Sequence, residues 1–310
     1  MSPAGGARRT FALVPRRRSA GLPFGETPSR RRGRGSEVIG QRLYEPGDPV
    51  STIDWFASAR LATTSGQDVF VVREHAADEA PRVVIVIDRR PEMGLYPSPL
   101  PWLHKPAALR EAADEIAASA SAARADTAVL DFAGGEPWWL PPGRRDRRWL
   151  IAEREGGDTP FAAPPDVLDR SLEFLTQRRR DLPSGSFVFV LSDFLGTPPS
   201  ATAWLRAVGY GWEPVPVVIQ DPIWEQSFPA VGGVGLPIAD PRSGAVALVR
   251  MSRRQAARQA EENERRLAGS LAEWESLGLQ PLVLGTSEPD RVDAAFIQWA
   301  EERRRSRWAR

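Results

Sequence analysis

An α/β fold on a doubly wound, mostly parallel sheet, with an N-terminal β segment and a β-hairpin excursion, is what this sequence predicts. Three observations carry the prediction. The runs RVVIVID (82–88) and SFVFVLSDF (186–194) are unbroken β-branched or aromatic stretches, the pattern of strands buried on both faces. Between and after them, strand-like and helix-like segments alternate to the C-terminus, as in a parallel sheet with helical crossovers.

The elements follow in order. The first 34 residues hold nine arginines (Arg8, Arg9, Arg16 to Arg18, Arg30 to Arg32, Arg34) and one acid, Glu26, interrupted by Pro and Gly. Residues 1–35 therefore read as an Arg-rich flexible arm. Two roles are open to it: a solvated tail, or an arm that touches nucleic acid or an acidic partner surface. Residues 36–80 form a second segment, β plus a short helix, in which QDVFVVRE (67–74) alternates around Val69, Val71 and Arg73. Residues 81–310 hold the main domain. Helical spacing of Leu109, Ala112, Ala113 and Ile116 predicts a helix over 105–124, with Pro106 tolerated in its first turn. DTAVLDF (126–132), a Gly turn and PWWLPP (137–142) predict a hairpin at a sheet edge, where prolines do no harm. Val167, Leu168, Leu172 and Leu175 form one stripe of a helix over 165–179. A helix at 201–211 ending in Gly, a strand at 213–222, a Gly-turn β excursion at about 223–250, a charged helix at 253–276, a strand at 280–286 and a helix at 290–304 complete the chain. There is no internal repeat.

Composition excludes several function classes. Over 310 residues, 42% hydrophobic and 26% charged, the chain has the make-up of an ordinary soluble protein. A net charge of +1 gives the whole molecule no nucleic-acid footprint. Cysteine is absent, which removes disulfides, thiolate metal sites and thiol nucleophiles together. The two histidines are His75 and His104, and the single lysine is Lys105. Without an apolar run of about 18 residues or a signal-peptide core, the expected location is the cytoplasm, with no transmembrane segment. Enzyme signatures are missing as well: Lys105 sits in HKPA rather than a Walker A loop, no Gly-x-Ser-x-Gly elbow or His-Glu-x-x-His occurs, and GGVG (232–235) lacks a strand–Gly–helix context. The expectation is a non-catalytic protein.

Both buried-strand runs end in aspartate, at Asp88 and Asp193. In an open parallel sheet ligands bind beyond the carboxyl ends of the strands, near the point where strand order reverses. Two acids there can hold Mg²⁺ through oxygen ligands, or each can merely cap the helix that follows. The order predicted for the sheet puts Asp88 and Asp193 on neighbouring strand ends.

The segment beginning at Asp88 resembles the von Willebrand factor A domain, which carries Asp-x-Ser-x-Ser at the start of its metal-ion-dependent adhesion site. Asp193 matches the second acidic position and Thr159, in GGDTPF, the threonine. The resemblance implies an ion held by acids, serines and threonine, with a partner's carboxylate completing its shell. Arg90 and Glu92 stand at the two serine positions, so the site is expected to be degenerate and metal-free, with Mg²⁺ as the cofactor if any binds. Glu92 would then supply an oxygen, and Arg90 either pairs with Asp88 or Asp193 or points into solvent.

GRGSEVIGQRLYEPGDPVSTIDWFASAR (33–60) is similar to the signature of the domain of unknown function 58 family, an Arg-x-Tyr-x-x-Gly-Asp turn before Ile-Asp-Trp and Ser-Ala-Arg. Arg42, Tyr44, Gly47, Asp48, Ile53, Asp54, Trp55, Ser58, Ala59 and Arg60 all fall in place. Lys105 at a helix start, DPIWEQSFP (221–229) with Asp221, Pro222 and Glu225, ADPRSG (239–244) and LVLGTSEPD near the C-terminus match further family positions. The resemblance covers nearly the whole chain after about residue 20. It implies a partner of MoxR-type AAA+ ATPases; many such proteins begin with membrane spans, which are not found here. Read from the residues themselves, Asp54 is an N-cap for a short helix that Trp55 anchors, with Arg60 reaching a carboxylate. That unit either clamps the N-terminal segment to the sheet domain or offers a docking surface.

Overall fold

The computed structural model describes residues 10–15, 22–45, 48, 50–65, 70–80, 82–95, 103–143, 147–156, 159–243 and 245–308. Its first element is a long strand, β1 (Leu22–Leu43), paired antiparallel with β2 (Val71–Ala80). Between them lies the helix α1 (Trp55–Ser65). The segment expected as a flexible arm thus enters a strand from Leu22 on, because β2 offers it a ladder of backbone partners. Residues 1–9 and 16–21 lie outside the described residues, as does Gly47 of the signature.

The main sheet has six strands: β3 (Arg82–Ile87), β4 (Asp126–Asp131), β5 (Trp138–Gly143), β6 (Phe187–Ser192), β7 (Glu213–Ile219) and β10 (Leu282–Leu284). Their spatial order is β10-β7-β6-β3-β4-β5, parallel throughout except for the antiparallel edge strand β5. This is the doubly wound, mostly parallel sheet expected from the sequence, consistent with a von Willebrand factor A-like fold. The chain leaves β3 toward β4 and leaves β6 toward β7, so the winding reverses between β3 and β6.

Alternation along each central strand builds a core on both faces. Val83, Ile85, Ile87, Phe187, Phe189 and Leu191 pack on one side with α2 (Lys105–Ala122), α3 (Arg148–Gly156) and α7 (Pro289–Trp308). Val84, Val86, Val188 and Val190 face the other side, against α4 (Val167–Gln177), α5 (Ala201–Gly209) and Trp274 of α6 (Arg253–Ser276). The helix α3 is absent from the sequence-based expectation; four of its nine residues are charged and its apolar stripe is short. An antiparallel ribbon, β8 (Val234–Ala239) with β9 (Val246–Met251), forms the expected excursion.

Two prolines sit inside β7, which is unusual for an interior strand. The register explains them. Glu213 donates its N–H to Ser186 of the β6 side and Gln220 donates to Leu284 of the β10 side, so odd positions face β6 and even ones face β10. Pro214 and Pro216 are even, and β10 pairs only with residues 217–219. The missing donors fall where no partner strand runs.

Residues 10–15 dock on the α2–α7 face. Phe11 is 4% exposed, stacks on Phe296 at 5.0 Å and meets Phe189 and Trp299 edge-on. Its N–H donates to the Ser119 hydroxyl at 3.0 Å. Burying such a ring is worth roughly 1.5–3 kcal/mol, so part of the N-terminal stretch belongs to the core. The fully buried Arg303 adds a second tie: its Nε donates to the Val14 carbonyl at 2.8 Å, its Nη2 pairs with buried Glu213, and its guanidinium lies over Phe187 and Trp299. No helix among the described residues is long and apolar enough to cross a membrane.

Removing one partner of a buried ion pair strands the other charge, at a cost of about 3–5 kcal/mol. Arg303→Ala is therefore expected to lower the urea unfolding free energy by that amount. Arg303→Leu combined with Glu213→Leu should recover most of it. A single variant within about 1 kcal/mol of wild type would show that the pair does not hold the N-terminal stretch.

Candidate functional site

The parallel register of β3 and β6 places their ends side by side. Ile87 pairs with Leu191, and the Asp88 N–H donates to the Leu191 carbonyl at 3.0 Å. Asp88 and the Ser192–Asp193 pair thereby meet at the switch point, all fully buried. The expectation that the two aspartates occupy neighbouring strand ends holds in this register.

Arg90, which the sequence left free to pair inward or point to solvent, turns inward and is 1% exposed. Its Nε lies 2.9 and 3.1 Å from the two Asp88 oxygens, and its Nη2 lies 2.6 Å from Asp88 Oδ2. The same Nη2 sits 3.1 Å from Ser192 Oγ and 3.8 Å from Asp193 Oδ1. One guanidinium nitrogen spans both carboxylates. The Asp88 carboxylate also accepts the Arg90 backbone N–H at 2.9 Å and the Ser192 hydroxyl at 2.6 Å. Arg90 Nη1 donates to the Thr197 carbonyl at 3.0 Å, where a Cβ on Gly196 would stand 2.7 Å from that nitrogen. Only glycine leaves the guanidinium its place.

The second carboxylate is met by the chain's one lysine. Lys105 Nζ lies 2.7 Å from Asp193 Oδ2 and 2.5 Å from Glu225 Oε1, with its side chain 1% exposed. It also donates, at 3.4 Å, to the Glu92 carbonyl. Asp193 Oδ1 accepts the Leu195 N–H at 3.0 Å, and the Asp193 carbonyl accepts Gln220 Nε2 at 2.6 Å. Glu225 Oε2 accepts the Asp221 N–H at 2.8 Å. Asp221 in turn takes the N–H groups of Leu103, Ile223 and Trp224, and Pro222 packs where Gly285 lacks a side chain. A continuous polar network thus links β3, β6, α2 and the 221–229 loop.

The electrostatics follow from burial. Desolvation is the largest influence on Asp88 and raises its pKa, against the hydrogen bonds and charge of Arg90. Glu225 is likewise raised by burial, against the charge of Lys105. Burial works against the Lys105 ammonium, but Asp193 and Glu225 outweigh it and the lysine pKa rises. Arg90 follows the same pattern, with Asp88 overcoming its desolvation.

Two residues of the expected ligand set are engaged elsewhere. Glu92 directs its carboxylate to Arg242 at 3.1 Å, and Thr159 donates its hydroxyl to the Arg154 carbonyl at 2.7 Å. Arg154 belongs to a neighbouring cluster, bidentate on buried Asp131 at 2.7 and 2.9 Å, with Arg89 beside it. Among the described residues, no group of three or more acidic or imidazole side chains is arranged to hold a metal ion. Sequence reasoning placed Lys105 in a motif without giving it a role and overlooked Ser192 and Gln220. The signal for the lysine was its singularity: in a chain that otherwise uses arginine, one lysine lies at a helix start.

The signature segment is a separate construction. Arg42 grips Asp48 through two nitrogens at 2.5 and 2.7 Å, and that pairing lowers the Asp48 pKa. Asp54 caps α1 by accepting the Ala57 N–H at 3.1 Å, and takes Gln41 Nε2 at 3.0 Å. The buried Ser58 hydroxyl donates to the Asp54 carbonyl and accepts the Val71 N–H, fastening α1 to β2. Tyr44 donates its N–H to the Phe70 carbonyl. Trp55, expected as the anchor, is instead 60% exposed and meets Phe70 edge-on at 5.9 Å. Its place at the first helical position turns the ring outward, and Asp54 and Ser58 do the anchoring. Arg60 lies over the Phe56 ring at 5.9 Å.

Comparison with family models matches residues 40–268 to the family described as "Protein of unknown function DUF58". The chain belongs to this family. The DUF58 match spans both the signature segment and the switch-point network. Among curated proteins, none matches. Three solved structures are similar. BatB, a conserved hypothetical protein from Bacteroides thetaiotaomicron, shares 12% identity over 71% of this chain and 99% of its own, at a TM-score of 0.39. The pilus adhesin SpaC from Lactobacillus rhamnosus GG, in its open conformation, shares 11% over 72% of this chain and 30% of its own, at 0.42. Proximal thread matrix protein 1 from the mussel byssus shares 9% over 46% and 38%, at 0.35. At TM-scores this low, none of the three carries an argument about what the DUF58 chain does.

The network makes a signed pH prediction. With the carboxyl pKa values of Asp88 and Glu225 raised, the folded state holds more protons than the unfolded chain from the ordinary carboxylate value upward to the raised ones. Their contribution to stability therefore falls as pH rises through that window. Lys105, with its pKa raised, contributes stability that is complete below the ordinary lysine value and lost as pH rises through the folded one. Lys105→Met should cost about 3–5 kcal/mol near neutral pH and steepen the gain on acidification, since Glu225, already raised by burial, then loses the charge that opposes its protonation. Urea unfolding across about pH 5 to 8 reads both effects; a variant with the wild-type profile would remove the lysine from the network.

Proposed function

We propose that this chain is a non-catalytic protein-interaction or assembly module of the cytoplasm, partner to a MoxR-type AAA+ ATPase, whose adhesion site is degenerate. The observation that carries the reading is Arg90. In a working site an ion holds the strand-end acids; here a guanidinium lies within hydrogen-bonding distance of Asp88 and 3.8 Å from Asp193, and Lys105 takes the other side of Asp193. Mg²⁺ needs oxygen ligands in near-octahedral geometry. The positions where serine hydroxyls would stand carry Arg90 and Glu92, and two fixed cations repel an incoming one. These residues do not fit the ion.

The same burial supports a non-catalytic role. Asp88, Asp193 and Lys105 are each at most 1% exposed and saturated with internal partners, so none is placed to meet a substrate. The ATPase partner rests on family membership and on the signature match. The test has two arms. In calorimetric titration of Mg²⁺ and Mn²⁺ into chelator-treated protein, wild type should show no binding tighter than millimolar, as for the weakest oxygen-ligand cation sites. Arg90→Ser with Glu92→Ser should lose about 3–5 kcal/mol of stability, for the stranded Asp88 charge, and regain part of it with Mg²⁺. Micromolar binding by wild type, abolished in Asp88→Ala, would overturn the degenerate-site reading. In the second arm, the purified chain and a MoxR-type ATPase should co-elute in the presence of ATP; separate elution with and without nucleotide would overturn the partner assignment.

A further inference from the structure

Beyond the carboxyl ends of β3 and β4 a cleft of about 510 Å³ opens between the Pro91 turn, the 161–164 segment, α4 and the tip of the β8–β9 ribbon. Its lining is mixed: Pro91, Phe161, Pro164 and Pro241 supply apolar surface beside a comparable share of polar surface, and the charged residues lining it are Arg170 and Arg242, with no acid among them. Both arginines are held from outside the cleft. Arg170 Nε pairs with Asp166 at 2.9 Å, and Arg242 Nη2 with Glu92 at 3.1 Å. The Arg170 pair is exposed on both sides, the kind that is weak and exchanges readily, while Glu92 is partly buried beside the exposed Arg242. Among the described residues each guanidinium engages through one nitrogen only, although it carries five N–H donors in a planar fork. Two half-used forks beside apolar surface form a recognition surface for carboxylates carried on an apolar backbone.

We infer that this cleft docks an extended acidic segment of a protein partner, its carboxylates on Arg170 and Arg242 and its apolar flank against Phe161 and the prolines. A free phosphate would use the two arginines and leave the walls bare, so the lining favours a peptide. Asp240 does not oppose this: its carboxylate is turned to the Ser243 hydroxyl and the Arg242 backbone N–H of its own turn. The site is separate from the buried Arg90–Lys105 network, and the inference deepens the interaction-module reading on which it rests.

The experiment uses the full chain and a fluorescently labelled peptide of alternating proline and glutamate, followed by anisotropy at low salt. Its glutamine counterpart serves as the neutral control and inorganic triphosphate as competitor. The glutamate peptide should bind, and binding should weaken at least about tenfold, a difference of one decade in Kd, for the glutamine peptide and for Arg170→Ala with Arg242→Ala. Both arginines are exposed, so the double variant should keep its melting temperature. No binding, equal binding of the two peptides, or an unaffected double variant would each overturn the inference. Triphosphate binding as tightly as the peptide would reassign the cleft to phosphate. The same double variant separates the two readings. If it still co-elutes with the ATPase while losing the peptide, the cleft is real but is not the ATPase contact. If the peptide binds and no ATPase complex forms, the cleft stands and the ATPase assignment falls.

Discussion

Two carboxylates buried at neighbouring strand ends must have their charge met, and much of this molecule's upper face is arranged around that requirement. Left alone, Asp88 and Asp193 would repel in a low-dielectric setting, and one would take up a proton. A solvent ion can answer the problem. This chain answers it with covalently attached cations: Arg90 from the turn after β3 and Lys105 from the start of α2. Each side chain then acquires further duties. Arg90 reaches Thr197 beyond β6, and Lys105 reaches Glu225 in the loop after β7. Neutralisation and cross-linking of the sheet's ends are one set of bonds.

The solution depends on chemistry specific to each cation. The planar guanidinium matches Asp88 through Nε and Nη2 while its third nitrogen faces a carbonyl; an ammonium in that position has no such fork. Lysine suits the other position because its compact ammonium with three donors is shared between two carboxylates and a carbonyl. The close approach at Gly196 belongs to the same design, since a Cβ there would displace the guanidinium. These details account for an arginine at position 90 and a lysine at position 105.

The sheet was legible in the sequence because unbroken runs such as RVVIVID and SFVFVLSDF have few other stable placements. The strand-end aspartates were legible for the same reason. The helices α2 and α4 announced themselves by apolar stripes, α5 by its closing glycine and α6 by its charge, whereas α3 lacks the length for a stripe. The network was only half visible. A sequence shows that Arg90 stands where a serine is expected, but not which way a loop arginine turns. That depends on Gly196 and on the Thr197 carbonyl, more than a hundred residues away. Glu92 and Thr159 match a family pattern by position, yet the hairpin tip at Arg242 and the Arg154 carbonyl take them up. The N-terminal stretch misled for a compositional reason. Its arginines read as an arm, while Phe11, Leu13 and a backbone ladder from Leu22 onward tie parts of it down.

An internal counter-ion changes what the upper face can be used for. A bound ion leaves a coordination position for an outside carboxylate, so affinity for the partner follows the ion's concentration and exchange. A guanidinium whose nitrogens are spent on Asp88, Ser192 and Thr197 leaves no such position, and its charge stays constant across the physiological pH range. Any contact on this face must then be made by groups around the network rather than through it. The rim supplies such groups at Arg170 and Arg242, each engaged through a single nitrogen, above walls of proline and phenylalanine. The buried cations tie the strand ends together, and on the proposed reading recognition would move outward from a metal centre to that cleft.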